Sequence, residues 1–228
     1  MTAKIPLIVL LGPPGSGKGT QAAKLQEVHP SWLHVSTGNL FRAEISSGSE
    51  LGTSVKDILS EGKLVSDDVT NKVFESQLLK LLDESAPEAL ILDGYPRTKP
   101  QAEYLVGLVA RESRLSEPLP VELKVPEEEV VRRLAGRWVN PRTGKVYHSE
   151  VNPPKVAGIC DEDGAELIQR SDDRPDVIRS RYQLYREQRN GIVEGLGAKD
   201  RLVIVPGEGS LDSIRAKLEG ILSRDATP

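Results

Sequence analysis

The chain holds one cysteine, Cys160, in 228 residues, which excludes an internal disulfide framework and fits a reducing compartment. Aromatic residues are scarce. Two Phe, two Trp and five Tyr leave the core to aliphatic side chains. Positive charge is not in surplus: the net charge is −4, which argues against a general binder of nucleic acid or of acidic membranes. Long hydrophobic runs are missing as well. The apolar stretch Ile5 to Leu11 is too short to span a bilayer and carries no cleavage-site pattern. No membrane segment or secretory signal is expected, and the expected location is the cytoplasm. Internal repeats and low-complexity tracts are absent, and the three histidines, His29, His34 and His148, have no metal-ligand spacing. What is left is an ordinary composition, 38% hydrophobic and 28% charged, sufficient for one large domain or a core with an insertion.

The most informative segment follows the first apolar run. Gly12-Pro13-Pro14-Gly15-Ser16-Gly17-Lys18-Gly19-Thr20 leads into the helix-like Gln21–Gln26. A strand, a glycine loop and a helix start make a phosphate cradle: glycines let successive N–H groups turn inward, and the helix start adds unpaired donors and a positive dipole end. Lys18 brings a mobile point charge. The usual pattern places Ser or Thr directly after the lysine; here Gly19 intervenes before Thr20. The plain alternative is a glycine turn with a solvated lysine.

Short apolar runs alternate with helical patterns. Strands are expected at Ile5–Leu11, Trp32–Val35, Ala89–Leu92, Pro120–Val125 and Leu202–Val205. Helices are expected at Thr20–Val28, Asn39–Ser46, Leu51–Ser60, Asp67–Leu82, Lys99–Glu112, Glu127–Leu134, Asp176–Leu196 and Ser210–Leu222. The alternation implies a five-stranded parallel sheet flanked by helices, with ligands beyond the strand carboxyl ends, where the glycine loop and Asp93 fall. The segment from Gly136 to Asp173 breaks the rhythm. It is rich in turn residues and β-formers and reads as a small β insert able to act as a lid. Asp173 with Asp176 three residues on looks like a helix cap. Arg224–Pro228 are expected to fray. Ten of seventeen arginines lie between Arg132 and Arg189, suggesting a site for a small polyanion. The alternative, a solvated helix face with i,i+4 pairs, is preferred for Arg186 and Arg189.

Further motifs give the chain a resemblance. Gly12–Gln21, Ser36-Thr37-Gly38-Asn39-Leu40-Phe41-Arg42, Gly62-Lys63-Leu64-Val65, Asp93-Gly94-Tyr95-Pro96-Arg97 with Gln101, Asn152-Pro153-Pro154-Lys155, and Arg170-Ser171-Asp172-Asp173 with Arg181 together resemble the adenylate kinase family in its long-lid form. The resemblance covers almost the whole chain. It implies a P-loop nucleoside monophosphate kinase fold: a core of residues 1–35, 66–135 and 174–228, a helical AMP-binding insert at 36–65 and a β lid at 136–173. It implies Mg²⁺-dependent phosphoryl transfer from ATP to AMP giving two ADP, by a monomer.

By the same resemblance the ATP phosphates fall to Gly15, Ser16, Gly17, Lys18, Gly19 and Thr20, with Arg133 and Arg137 beside them. Val146, Tyr147 and Gly209 approach the ATP base, although Tyr147 equally suits the lid core. AMP falls to Thr37, Arg42, the Lys63-Leu64-Val65 strip, Gly94-Tyr95-Pro96-Arg97, Gln101, Arg170 and Arg181. Lys18, Arg97, Arg137, Arg170 and Arg181 are the implied catalytic group. Such a reaction needs positioning and charge neutralisation more than covalent help, and arginine's planar fork takes phosphate oxygens in pairs. Asp93 either orients Mg²⁺, through water, or caps a turn. Asp172 and Asp173 either hold the lid arginines or cap helices.

Some relatives bind zinc in the lid through two Cys-x-x-Cys pairs. The positions here are Asn140, Thr143, Cys160 and Asp163, a poor zinc set that reads as a hydrogen-bonded polar cluster. Other departures are Asn39 and Pro206, both where Asp is usual, and Tyr95 for Phe. The rival readings are a kinase of the same fold with another donor or acceptor base (GTP:AMP or UMP/CMP), or a nucleotide-gated binding module without catalysis. The latter leaves Arg42, Arg97 and Gln101 without purpose.

Overall fold

The computed structural model describes residues 4–225. A five-stranded, wholly parallel sheet runs in the order β2-β3-β1-β4-β7, formed by β1 (Ile5–Leu11), β2 (Trp32–Ser36), β3 (Ala89–Asp93), β4 (Leu115–Lys124) and β7 (Val203–Pro206). β1 lies at its centre, and alternate residues of β1 serve opposite layers. Leu7, Val9 and Leu11 join a cluster with Phe74, Leu78, Leu105 and Ile192, from α4 (Asp67–Glu84), α5 (Lys99–Arg111) and α7 (Pro175–Gly195). Ile8 and Leu10 join Leu25 and Leu218, from α1 (Lys18–Val28) and α8 (Leu211–Asp225). The scarcity of aromatics is met as expected, by Leu, Ile and Val.

Two further clusters belong to the excursions from this core. α2 (Thr37–Ser47) and α3 (Glu50–Ser60) pack Phe41 and Val55 with Val65. Ser36 caps α2 and Ser49 caps α3, each accepting from a backbone N–H three residues on. After α6 (Glu127–Ala135), β5 (Arg137–Val139) and β6 (Val146–His148) form an antiparallel pair that packs Tyr147, Cys160 and Leu167 against Trp138.

All five expected sheet strands and all eight expected helices are present, with shifted ends. β4 begins five residues before the expected Pro120. Its two prolines fit because β7 pairs only from Val121 onward, so Pro118 and Pro120 lie where β4 has a single neighbour, β1. α8 runs through Arg224 to Asp225, beyond the expected fraying point, and Ala226–Pro228 lie outside the described residues.

Two expectations are corrected. Asp173 does not cap α7. It sits in a 3-10 turn, Ser171–Asp173, the cap position falls to Arg174, and Pro175 opens the helix. Arg189 is not on a solvated face. It spans to the buried Glu122 of β4, with Nη2 at 2.6 Å from Oε2, and Tyr185 donates to Glu122 at 2.7 Å. The i,i+4 spacing along α7 could not reveal a partner 67 residues away.

Burial alone would raise the Glu122 pKa, but Arg189 and Tyr185 hold it below the ordinary value. The pair's contribution is therefore present at neutral pH and lost as pH falls through the folded-state pKa. Arg189→Leu strands a buried carboxylate and should cost about 3 kcal/mol in urea unfolding at pH 7, at the low end for buried pairs because Arg189 is partly exposed. Glu122→Leu combined with Arg189→Leu should recover most of that loss.

Candidate functional site

Strand register brings the site together. Asp93, the last residue of β3, lies level with Leu10 of β1 and Ser36 of β2. The glycine loop after β1 and the Ser36–Thr37 start of α2 therefore flank one carboxylate. Gly17 caps α1 at φ 97°, a conformation that L side chains resist, and so turns the loop into the helix. Lys18 folds back over the loop: Nζ donates to the carbonyls of Gly12 and Pro13, both at 2.8 Å, and to Ser16 Oγ at 3.3 Å. The intervening glycine also has a structural reason. A Cβ on Gly19 would stand 3.1 Å from Asp93 Oδ2, a tight contact that a Ser or Thr would relieve only by a small shift of the carboxylate.

Asp93 is partly buried. Burial raises its pKa, but the His34 ring, Lys18 and Arg97 outweigh it and bring it down to about 2. His34 Nε2 stands 3.5 Å from Oδ2, long for a hydrogen bond. A carboxylate held ionised at the mouth of a phosphate loop fits a hydrated Mg²⁺, which takes few protein ligands.

Behind Asp93 the chain turns through Gly94, at φ 78°, where a Cβ would meet Arg97 Nη2 at 2.8 Å. The Gly94 carbonyl accepts from Arg97 Nε and from Thr37 Oγ1, both at 2.7 Å. Thr37 is thus committed as a donor and keeps only acceptor capacity towards a ligand. Arg42 Nη2 donates to Asn39 Oδ1 at 2.8 Å. The departure from Asp to Asn therefore orients Arg42 without neutralising it. The extra hydroxyl of Tyr95 is also used: it donates to Asn71 Oδ1 at 2.7 Å, and the ring stacks on Phe74.

The lid base completes the cluster. Asp173 grips Arg137 through both oxygens, at 2.8 and 2.5 Å, and Asp172 holds Arg181 at 2.7 Å. Of the two roles open to these aspartates, the arginine-holding one is realised. Gly62, before the Lys63–Val65 strip, lies against Val177 and the Arg181 stem, where a Cβ would stand 2.7 and 2.8 Å away. Lys18, Arg42, Arg97, Arg137, Arg170 and Arg181 thus share one field with only Asp93, Asp172 and Asp173 to balance it. Burial and mutual repulsion push Arg42, Arg97, Arg170 and Arg181 below the usual arginine range. The chemical meaning is an unmet need for anion.

Other expected residues stand apart. Arg133 bridges Glu129, at 2.7 Å, and the Gly207 carbonyl, at 2.8 Å, beside the loop that carries Gly209. Pro206 ends β7 level with Lys124. Val146 lies on the lid strand β6, partly exposed. The Tyr147 ring is buried with Cys160 and Leu167, its hydroxyl 3.5 Å from Cys160 Sγ and accepting from the Asp161 N–H.

The four former zinc positions form the expected polar cluster. Asn140 donates to Asp163 Oδ1 at 2.8 Å and accepts from the N–H groups of Arg142 and Thr143. Arg142 pairs with Asp163 at 3.1 Å, and Thr143 Oγ1 accepts from the Lys145 N–H. Among the described residues no group of three or more His, Cys, Asp or Glu side chains is placed to hold a metal ion, and no helix is long and apolar enough to cross a membrane.

Residues 10–200 match the family model described as adenylate kinase. The chain belongs to the adenylate kinase family. An adenylate kinase of Anaeromyxobacter sp. (strain Fw109-5) is 42% identical over 218 residues, 95% of this chain and 99% of that one. Adenylate kinases of Oceanobacillus iheyensis and Thermosipho melanesiensis are 40% and 41% identical, each over 95% of this chain and 99% of the relative. Near-complete coverage at both ends agrees with the family's long-lid form.

One residue escaped the sequence motifs. Asp67, at the start of α4, accepts from Thr98 Oγ1 at 2.9 Å and from Gln101 Nε2 at 2.8 Å. Its position two residues after the Gly62–Val65 strip was the one available hint.

The field makes a prediction for Lys18. Burial, with Arg97, Arg181 and Arg137, lowers its pKa to about 8 against the pull of Asp93. Between about 8 and the ordinary lysine value the unfolded chain holds the extra proton, so the ligand-free fold gains stability as pH rises through that window. A bound polyphosphate favours the charged amine. Tripolyphosphate binding near pH 8.5 should therefore take up a proton, seen as heats that vary with the ionisation enthalpy of the buffer. Lys18→Met should weaken that variation, whereas equal heats for the wild type in all buffers would show that Lys18 stays charged in the empty cleft.

Proposed function

We propose that this chain catalyses the reversible, Mg²⁺-dependent transfer of a phosphoryl group from ATP to AMP, giving two ADP. The observation that carries this reading is the convergence of two phosphate-directed sets on one uncompensated positive field. The first is the glycine loop with Lys18, and the second is Arg42, Arg97 and Arg170. A protein that only sensed ATP would have no use for the second.

In this reading the loop amides of Gly15–Thr20 and Lys18 hold the donor phosphates. Arg133 and the loop at Gly209 lie beside the donor base, and Val146 approaches it from the lid. Arg42, Arg97 and Arg170 hold the acceptor phosphate, while Thr37, the Lys63–Val65 backbone and Gln101 face its base. Arg137 and Arg181, kept in place by Asp173 and Asp172, close over the transferring group. Asp93 would hold a magnesium ion through water, and that ion would neutralise phosphate charge. No general base is assigned, because the attacking phosphate oxygen is already anionic at neutral pH.

The reading includes three parts that move as bodies: the core, the insert of residues 36–65 and the lid of residues 136–173. Support comes from the small apolar cores of the two excursions, around Phe41 and Tyr147, which let each keep its shape as it swings. Closure excludes water and suppresses ATP hydrolysis. The cytoplasmic location rests on the lone, buried, unpaired Cys160.

The test is simple. Protein supplied with Mg²⁺ and ADP alone should generate ATP and AMP in equal amounts, followed by ³¹P NMR, and omission of Mg²⁺ should stop it. A folded, nucleotide-binding protein that leaves ADP unchanged would send the assignment to other acceptors or to a non-catalytic role. Arg97→Ala should leave ATP affinity nearly intact and lower kcat by on the order of 10³-fold; unchanged steady-state kinetics would remove Arg97 from this role.

A further inference from the structure

We infer that Asp67 is a positioning residue that locks the side-chain amide of Gln101 in one orientation and thereby sets which base edge the acceptor site takes. The inference rests on the acceptor-site reading proposed above.

Gln101 is buried, and both ends of its amide are engaged. Its Oε1 accepts from the Arg97 N–H at 2.8 Å, and its Nε2 donates to Asp67 Oδ1 at 2.8 Å. A backbone N–H can only donate, and an ionised carboxylate can only accept. The two partners therefore permit a single orientation; a flipped amide would set oxygen against carboxylate and N–H against N–H. What Gln101 still has to offer is fixed in order: the second proton of Nε2 and the second lone pair of Oε1.

That order carries information. Adenine presents a ring-nitrogen acceptor beside an amino donor. Hypoxanthine presents the reverse, a ring N–H donor beside a carbonyl acceptor. An amide that cannot flip matches only one of them, and a mismatch leaves buried polar groups unpaired.

The lock is built on a rigid surface. Asp67, Asn71 and Phe74 follow one another at i, i+4 and i+7 on α4 and so share a face. Along that face Asp67 takes Thr98 and Gln101, Asn71 takes the Tyr95 hydroxyl, and Phe74 stacks on the Tyr95 ring at 4.0 Å. One helix face thus carries the whole Tyr95–Gln101 turn. Thr98 Oγ1 adds a second donor to the same Asp67 oxygen while capping α5 through the Gln101 N–H.

The experiment is Asp67→Asn, which keeps shape but can donate as well as accept, so that of the two constraints on the Gln101 amide only the Arg97 N–H remains. The expected result is that the ratio of kcat/KM for AMP to that for IMP falls by about tenfold or more, through the acceptor KM values, while the KM for ATP and the unfolding midpoint stay close to wild type. In a Gln101→Ala background the same substitution should leave the ratio unchanged, which a general loosening of the turn would not do. Should the Asn variant fail to fold, Asp67→Ser, whose hydroxyl also donates and accepts, makes the same comparison. An active Asp67→Asn enzyme with the wild-type AMP to IMP ratio overturns the inference, as does a further fall in the Gln101→Ala background. Wild-type protein that phosphorylates neither AMP nor IMP overturns the acceptor reading itself, and the inference with it.

Discussion

Positive charge gathered beyond the carboxyl ends of β1 and β3, with too few carboxylates to balance it, is the constraint on which the rest of this structure depends. Six cationic side chains from the loop, the insert, the Asp93–Arg97 turn and the lid base share a cleft with three aspartates. Buried like charges at this density repel, and the fold must supply the energy to hold them together. The two aliphatic layers on either face of the sheet do so by making the strand ends rigid. An anion placed in this cleft would relieve the repulsion, so the same term that strains the site without one would favour it with one.

Each aspartate has a distinct place in this balance. Asp93 faces Lys18 and the loop, where it lowers the local potential without touching an arginine fork. Asp172 and Asp173 sit side by side at the lid base and take Arg181 and Arg137 respectively. Because the bidentate grip of Asp173 uses Nε and Nη2 of Arg137, it fixes the plane of that guanidinium while leaving Nη1 for another acceptor. An arginine held this way has its guanidinium plane set in advance, which reduces the ordering cost of engaging a further acceptor.

The legible part of this protein was the part whose chemistry is local in sequence. The glycine loop, the Ser36–Arg42 segment and the Asp93–Arg97 turn each place their working atoms within a few residues, so composition and spacing suffice. Helix periodicity and the apolar runs placed all five sheet strands for the same reason. What stayed hidden was long-range. Asp173 reads as a cap because its neighbours look like a helix start, but its partner Arg137 lies 36 residues away. Arg189 reads as surface because Glu122 is 67 residues away. Asp67 carries no motif, and its meaning appears only when α4 is laid beneath the turn that holds Gln101, 34 residues on. The burial of Tyr147 comes from packing against Cys160 and Leu167, 13 and 20 residues on, which local sequence does not display.

The lid shows how a fold replaces a cross-link with hydrogen bonds. A zinc centre would tie two turns through four strong ligands. Here Asn140, fully buried, spans the same turns as a neutral hub: its amide nitrogen reaches Asp163, and its oxygen collects the backbone of Arg142 and Thr143. Asn140 is the buried member of this network, whose partners reach the surface, and an unpaired polar group at its position would cost more than a made bond returns. Asp163 accepts from Asn140 and the Ala165 N–H and pairs with Arg142. Cys160 completes the hub as a small, buried neighbour of the Tyr147 hydroxyl rather than as a ligand. These hydrogen bonds tie the two turns together through side chains and backbone.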